Sequence, residues 1–335
     1  MSGASRTVAT VPARIAVLGA GAWGTALARL LGRNGHAVAL WARNPEHAAA
    51  IVAAGQNAHH LAGAMLGPDV RPTSDLHTAI AGADAVVLAV PVRATDALLA
   101  ALPRPQAVVS CAKGFVDAEL VRLSQRVQQR YPDVPVAALS GPNLAAEIGR
   151  DRPAAATVAS RDEALAHAVQ GWFSQSTFRV YRSADLIGVE VSGAVKNVIA
   201  LAAGMSDALD LGDNTKAALV TRGLAELVRL GTRLGGEART FYGLAGLGDL
   251  MATCASPGSR NHQAGERLVR GATLAELEAS GLTAEGLTTV AHVAAFARDH
   301  RLELPLTRAV FDVVHGGKPP EAALLELMTR QPTEE

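Results

Sequence analysis

Lys196 stands in Glu190-Val-Ser-Gly-Ala-Val-Lys-Asn-Val-Ile-Ala-Leu-Ala-Ala-Gly204, with no acid within one helical turn of it. At 3.6 residues per turn, Val191, Val195, Val198, Ile199 and Ala202 form one apolar stripe, and Lys196 is flanked by Ser192, Gly193, Ala200 and Ala203. An ammonium over such a floor of small side chains leans over space a ligand could fill. The same pattern fits a half-buried lysine snorkelling to water. Four further stretches carry more polar groups than their setting requires. Ser110-Cys-Ala-Lys113-Gly puts a lysine after a β-branched run, and Ser140-Gly141-Pro-Asn143 makes a sharp turn that exposes backbone amides. Gly246-Leu-Gly-Asp249-Leu and Ser256-Pro-Gly-Ser259-Arg260-Asn261 follow later. There Ser259 can cap a helix while Arg260 and Asn261 add donors at its positive end, which suits a phosphate; alone, the loop reads equally as a bare cap.

Ile15-Ala-Val-Leu-Gly-Ala-Gly-Ala-Trp-Gly24 places Gly19, Gly21 and Gly24 in the G-x-G-x-x-G spacing between a strand pattern and a helix pattern. The first glycine permits the tight turn, the second lets backbone approach a pyrophosphate, and the third lets helix pack on strand, so a dinucleotide is expected here. The second strand ends Leu40-Trp-Ala-Arg43, where an NAD enzyme keeps an acid for the ribose hydroxyl. A guanidinium there holds a 2′-phosphate instead, which favours NADPH over NADH, although Glu46 nearby could serve a ribose. Reduction of a carbonyl leaves negative charge on oxygen, and an ammonium can stabilise and then neutralise it. Lys196 fits that task best, with burial lowering its pKa, Asp249 orienting it and Lys113 holding a substrate oxygen or phosphate.

These residues need elements to position them. From Arg14 to about Tyr181, strand-like runs alternate with helical patterns: Ile15 to Gly19, Ala37 to Trp41, Ala85 to Val90, Ala107 to Ser110, Val136 to Ser140, Ala155 to Ala159 and Phe178 to Tyr181. That alternation predicts a doubly wound, mostly parallel α/β sheet, with Ala89-Val-Pro91 ending a strand at the ligand-binding carboxyl edge. After Asp185 only helical patterns follow: Asp185 to Gly204, Lys216 to Leu234, His262 to Gly271, Thr273 to Ala279, Glu285 to His300, Thr307 to His315 and Pro320 to Met328. The expected division is a flexible N-terminal tail over 1–13, a nucleotide-binding domain over 14–189 and an all-helical substrate domain over 190–335.

A chain of 335 residues suits two domains. Its 31 basic and 31 acidic residues, with no basic run, give no reason to expect nucleic acid or an anionic membrane as partner. Cys111 and Cys254 provide no disulfide framework, and the ten histidines include no pair four apart, so no metal is expected. The polar start and the short apolar runs lead to the expectation of a cytoplasmic protein without membrane insertion. A homodimer is the assembly considered.

In order along the chain, Gly-Ala-Gly-Ala-Trp-Gly, Ala-Lys-Gly, Ser-Gly-Pro, Glu-Val-Ser-Gly-Ala-Val-Lys-Asn-Val, Gly-Asp-Asn-Thr-Lys-Ala-Ala-Leu, Gly-Leu-Gly-Asp-Leu and Ser-Arg-Asn occur between Arg14 and about Met328. On these motifs the chain resembles the bacterial-type NAD(P)-dependent glycerol-3-phosphate dehydrogenases. The resemblance implies reversible reduction of dihydroxyacetone phosphate, a small phosphorylated three-carbon substrate, to sn-glycerol 3-phosphate for phospholipid synthesis. It implies Lys196 as proton donor and acceptor, with Lys113, Gly141, Asn143, Asp249, Ser259, Arg260 and Asn261 at the substrate. Around the cofactor it implies Ala22, Trp23, Arg43, Lys113, Ala145, Arg260, Thr283 and Glu285. Asn143 and Leu144 stand where the family has a small hydroxyl residue and an aromatic, and Gly55 to Pro72, with His59-His60, departs from its aromatic and Leu-Pro pairing. The rival is a ketopantoate-reductase-like enzyme, whose substrate carries a carboxylate and no phosphate, leaving Lys113 and Ser259-Arg260-Asn261 without a purpose.

Overall fold

The structure, a computed structural model, describes residues 12–329. The expected tail therefore lies outside the described residues up to position 11, whereas Ala13 is buried and donates its N–H to His36 Nδ1 at 3.1 Å. Eight strands form one sheet: β1 (Arg14–Leu18), β2 (Ala37–Trp41), β3 (Val70–Thr73), β4 (Ala85–Leu88), β5 (Val108–Ser110), β6 (Val136–Ser140), β7 (Ala154–Ser160) and β8 (Phe178–Ser183). Their order is β3-β2-β1-β4-β5-β6-β7-β8. Every pairing is parallel except β6 with β7, so β7 and β8 run against the rest. Strands β4, β5 and β6 are buried along their whole length, as continuous apolar runs covered on both faces must be.

This is the doubly wound sheet expected. The strand the sequence did not disclose is β3, a four-residue edge strand containing Pro72; an edge tolerates a residue that cannot donate. The order reverses between β1 and β4, and the carboxyl ends of β1, β4, β5 and β6 share one edge. Gly19, Ala89, Cys111 and Gly141 follow those four ends.

From Leu186 onward the elements are helices, and each of the expected helical segments is present with ends shifted by a few residues. Three short pieces were not foreseen: Ala238–Phe241, a π-helical turn over Leu244–Gly248, and Asp249–Ala255. Glycines at 243, 246 and 248 hide them, because such a run reads as a loop.

The helix carrying Lys196 is Leu186–Ala208. Asp185 caps it, accepting from Gly188 N at 2.8 Å, and its second oxygen accepts from Glu237 N at 2.8 Å. Its length and mean hydropathy of 1.6 would suit a membrane span, yet 94% of that apolar window is buried inside the fold. Bare backbone approaches explain how: a Cβ on Gly204 would lie 2.0 Å from the His262 carbonyl oxygen, and one on Gly265 2.1 Å from that of Leu201. Because the helix runs unbroken past Val189 and Glu190, we propose that the junction between the two parts falls at Ala184–Asp185 rather than at 189/190.

Near its start, Glu190 ties the helix to the sheet layer. Its carboxylate takes Arg122 Nη1 at 2.7 Å, Ser124 N at 2.8 Å and Ser124 Oγ at 2.5 Å, at the head of the helix Leu123–Arg130. Both ion-pair partners are nearly buried, so removing one strands the other charge. Glu190→Ala should lower folding stability by about 3 kcal/mol, read as a lowered urea midpoint; a midpoint equal to that of the parent protein would contradict it.

Candidate active site

Lys196 is buried and carries two partners at 2.6 Å, Asp249 Oδ1 and Thr253 Oγ1. The other Asp249 oxygen takes Lys113 Nζ, also at 2.6 Å. One carboxylate, 2% exposed, thus bridges two ammonium groups delivered by different elements. Burial lowers the Lys196 pKa to about 8; Lys113 pushes the same way, and Asp249 opposes both. The absence of an acid within one helical turn of the lysine was therefore a local view, since its counter-charge comes from 53 positions away.

Each element places its residue for a physical reason. Asp249 opens the helix Asp249–Ala255 directly after the π-turn, whose Gly246 would carry a Cβ only 2.1 Å from the Phe241 carbonyl oxygen. Thr253, one turn on, donates to the Asp249 carbonyl at 2.6 Å and so turns a lone pair to Lys196. Reading Asp249 four positions ahead on a helix would have disclosed Thr253 in the sequence. Gly193 makes room for Lys113: a Cβ there would meet Lys113 Cγ at 3.3 Å and Ser140 Oγ at 3.2 Å. The floor of small residues is thus occupied, in part, by the second lysine.

Gly141 sits after β6 at φ +154°, where a Cβ would lie 2.9 Å from the Ala155 carbonyl oxygen, and its own carbonyl accepts from Lys113 Nζ at 3.3 Å. Asn143 donates to Ala155 O at 2.9 Å and keeps a buried Oδ1 without a partner. Ser259 caps the helix Arg260–Val269. Arg260 is exposed and has no ion-pair partner among the described residues. Asn261 is engaged differently from the expected free donor: its Nδ2 donates to Asn197 Oδ1 at 2.9 Å and its Oδ1 accepts from Gly286 N at 2.9 Å. Asn197, which the sequence did not single out, donates in turn to the Lys113 carbonyl at 3.1 Å.

On the sheet side, Gly19 adopts φ +117°, and a Cβ on Gly24 would stand 1.8 Å from the Gly19 carbonyl oxygen. A Cβ on Gly21 meets nothing within 4 Å, and the helix Ala22–Arg33 that follows has neither a side-chain cap nor an acid in its first turn. Trp23 Nε1 is buried without a partner. Free N–H groups, an open approach and no competing carboxylate fit a dinucleotide pyrophosphate. Arg43 is exposed just after β2, Ala145 starts a short helix after Asn143, and Thr283 lies just before the Glu285 helix. Glu285 accepts from Val92 N at 3.3 Å, beside the Ala89-Val-Pro91 strand end, and desolvation pushes its carboxyl above the usual range. Among the described residues no cluster of His, Cys, Asp and Glu could hold a metal ion.

Two family models match: the N-terminal part of NAD-dependent glycerol-3-phosphate dehydrogenase over residues 14–166 and its C-terminal part over 185–325. The chain belongs to this family. A Thermus thermophilus protein named glycerol-3-phosphate dehydrogenase, NAD(P)+, is 53% identical over 323 residues, covering 96% of this chain and all of its own. One of the same name from Moorella thermoacetica is 48% identical over 326 residues, or 96% of this chain and 97% of that one. The crystal structure of glycerol-3-phosphate dehydrogenase from Coxiella burnetii superposes with a TM-score of 0.91 at 36% identity, covering 95% of this chain and 99% of its own.

If the open face of Gly21 is where a pyrophosphate lies, a methyl group there should harm binding and nothing else. Gly21→Ala should keep the parent melting temperature while weakening dinucleotide binding by at least about tenfold in a fluorescence titration, since backbone approach is what that position supplies. Unchanged affinity would place the pyrophosphate elsewhere.

Proposed function

We propose that this protein is an NAD(P)-dependent oxidoreductase that interconverts dihydroxyacetone phosphate and sn-glycerol 3-phosphate. The observation that carries the reading is the Asp249 carboxylate held between Lys113 and Lys196 at 2.6 Å from each, at the carboxyl edge of a sheet whose first turn is a dinucleotide cradle. The nicotinamide supplies or accepts the hydride when bound. Lys196 gives its proton to the oxygen that becomes the secondary hydroxyl, and takes it back in oxidation. A pKa near 8 lets one group serve both directions near neutral pH. Asp249 and Thr253 hold the ammonium in place, and Lys113 faces the substrate oxygens. Arg260 and the leading N–H groups of its helix receive the phosphate, where a substrate with only a carboxylate would leave them unmatched. That argues for this reaction over a ketopantoate-type reduction.

In the same proposal Gly19, Gly21, Gly24, Ala22, Trp23, Ala145, Thr283 and Glu285 surround the dinucleotide. Arg43 prefers a 2′-phosphate, which makes NADPH the better cofactor. A cytoplasmic setting is in keeping with Cys111 and Cys254, both buried and unpaired.

One spectrophotometric assay, crossing NADPH and NADH with dihydroxyacetone phosphate and ketopantoate, tests the reading. Turnover is expected with the phosphorylated ketone only, and with the higher efficiency for NADPH; turnover of ketopantoate alone would overturn it. Lys196→Ala should cost at least about 10²-fold in kcat with the fold intact, and a folded variant with parental turnover would remove the lysine from its role. The pH profile carries a sign. The reducing direction needs the charged lysine, so its kcat should fall as pH rises through about 8, while the oxidising direction should rise through the same value.

A further inference from the structure

The stretch after Gly55, where the chain departs from its family's pattern, folds three histidines into one cluster. Asn57 anchors it: fully buried, it donates Nδ2 to the Ala20 carbonyl at 2.8 Å and to Thr25 Oγ1 at 2.8 Å, so the loop is fastened to the glycine turn itself. Its Oδ1 meets His47 Nε2 at 3.0 Å and accepts from His60 N at 3.3 Å. His47 comes from the helix Pro45–Ala54 that starts just beyond Arg43. Ring centroids lie 4.4 Å apart for His59 and His60, and 5.2 Å apart for His47 and His60. His59 and His60 are exposed, and their Nδ1 atoms are 3.4 Å apart.

The charges around the cluster are one-sided. Partial burial first, then His59, His47 and Arg260, hold the His60 pKa below the usual histidine value. What places the cluster is Asn57, whose bond to the Ala20 carbonyl fastens the loop between Gly19 and Gly21 of the proposed dinucleotide cradle. The acids nearby are spoken for or turned away. Asp151, at the far end of the loop, is taken by Arg29 and Arg33, with Arg29 also holding the Met65 carbonyl. Glu46, beside His47, makes no ion pair with any of the three histidines among the described residues. Imidazoles crowded with cations and lacking a carboxylate gain protons when an anion arrives.

We propose that His59 and His60, backed by His47, form a proton-linked contact for the dinucleotide's phosphate groups. The proposal rests on the reading of the glycine turn as the dinucleotide cradle. A bound phosphate raises the imidazole pKa values, so the complex holds more protons than the free protein. Affinity is then greatest in mild acid and is lost as pH rises through the bound-state pKa. With free His60 held below the usual histidine value, the linkage develops as the solution becomes mildly acid. A 2′-phosphate loses charge near pH 6 and opposes the trend, whereas NADH carries none.

Fluorescence titration of NADH and NADPH into the full chain at about pH 6 and about pH 8, with calorimetry in two buffers of different ionisation enthalpy to count protons, tests this. The parent protein should take up protons on binding NADH and bind it at least about fivefold more tightly at the lower pH. His59→Gln/His60→Gln, which leaves His47 on Asn57, should lose most of both effects. Loss of both effects with NADH, which carries no 2′-phosphate, supports contact with the pyrophosphate. Binding with no proton uptake in the parent protein, or a variant with the parental pH slope, overturns the proposal alone. Failure of either dinucleotide to bind at any pH overturns the cradle reading together with it.

Discussion

A buried carboxylate shared by two ammonium groups is the constraint on which the rest of the structure depends. Taking Lys113, Lys196 and Asp249 out of water carries a desolvation cost that only short, well-aimed contacts offset, and both are at 2.6 Å. Such aim requires rigid supports on all three sides. The π-turn and Gly246 point Asp249, Thr253 fixes the other side of the Lys196 ammonium, and Gly193 lets Lys113 lie against the lysine helix. Two cations share one anion, so the centre keeps a positive charge that water cannot screen well. An incoming anionic oxygen completes it.

The helices of the second half hold that centre against the Ser259-Arg260-Asn261 loop. Leu186–Ala208 meets its neighbours at backbone distance through Gly204, Gly265 and Gly286, and a Cβ on the last would lie 2.6 Å from the Asn197 carbonyl oxygen. Close approach of this kind leaves little freedom to slide. The hydrogen bonds Asn197 to Lys113, Asn261 to Asn197 and Gly286 to Asn261 run from the sheet's edge to the head of the Glu285 helix. Asn261 therefore ties the Ser259-Arg260-Asn261 loop to the lysine helix and to the head of the Glu285 helix.

Much of this was legible in the sequence, for reasons that can be named. Short continuous apolar runs disclose β1, β4 and β6, and a 3.6-residue period the lysine helix, because each buries a continuous apolar surface. Gly19, Gly21 and Gly24 disclose the proposed cradle by their spacing, and at Gly19 and Gly24 a Cβ would collide with backbone. Edge strand β3 was hidden by Pro72, and the helix start at Asp249 by its glycines. The partnership of Lys196 with Asp249, and that of Asn197 with Asn261, join residues more than fifty positions apart. Periodicity carries no information at that range; the motifs suggested the first pair, and only the packed fold discloses the second.

The chain is neutral overall, with 31 residues of each sign, yet its cleft is not. Lys113 and Lys196 meet on Asp249, and in the function proposed above Arg43, Arg260 and Glu285 face the same cleft. Desolvation raises the Glu285 carboxyl above its usual range, so the acid that would cancel the field is the one disposed to hold its proton. In that proposal the positive charge is gathered where the phosphates would arrive, an arrangement that draws small anions inward. Neutral composition and a cationic cleft are two sides of one arrangement, and the Asp249 bridge sits at its centre, balancing the lysines closely enough to bury them and incompletely enough to leave them attractive.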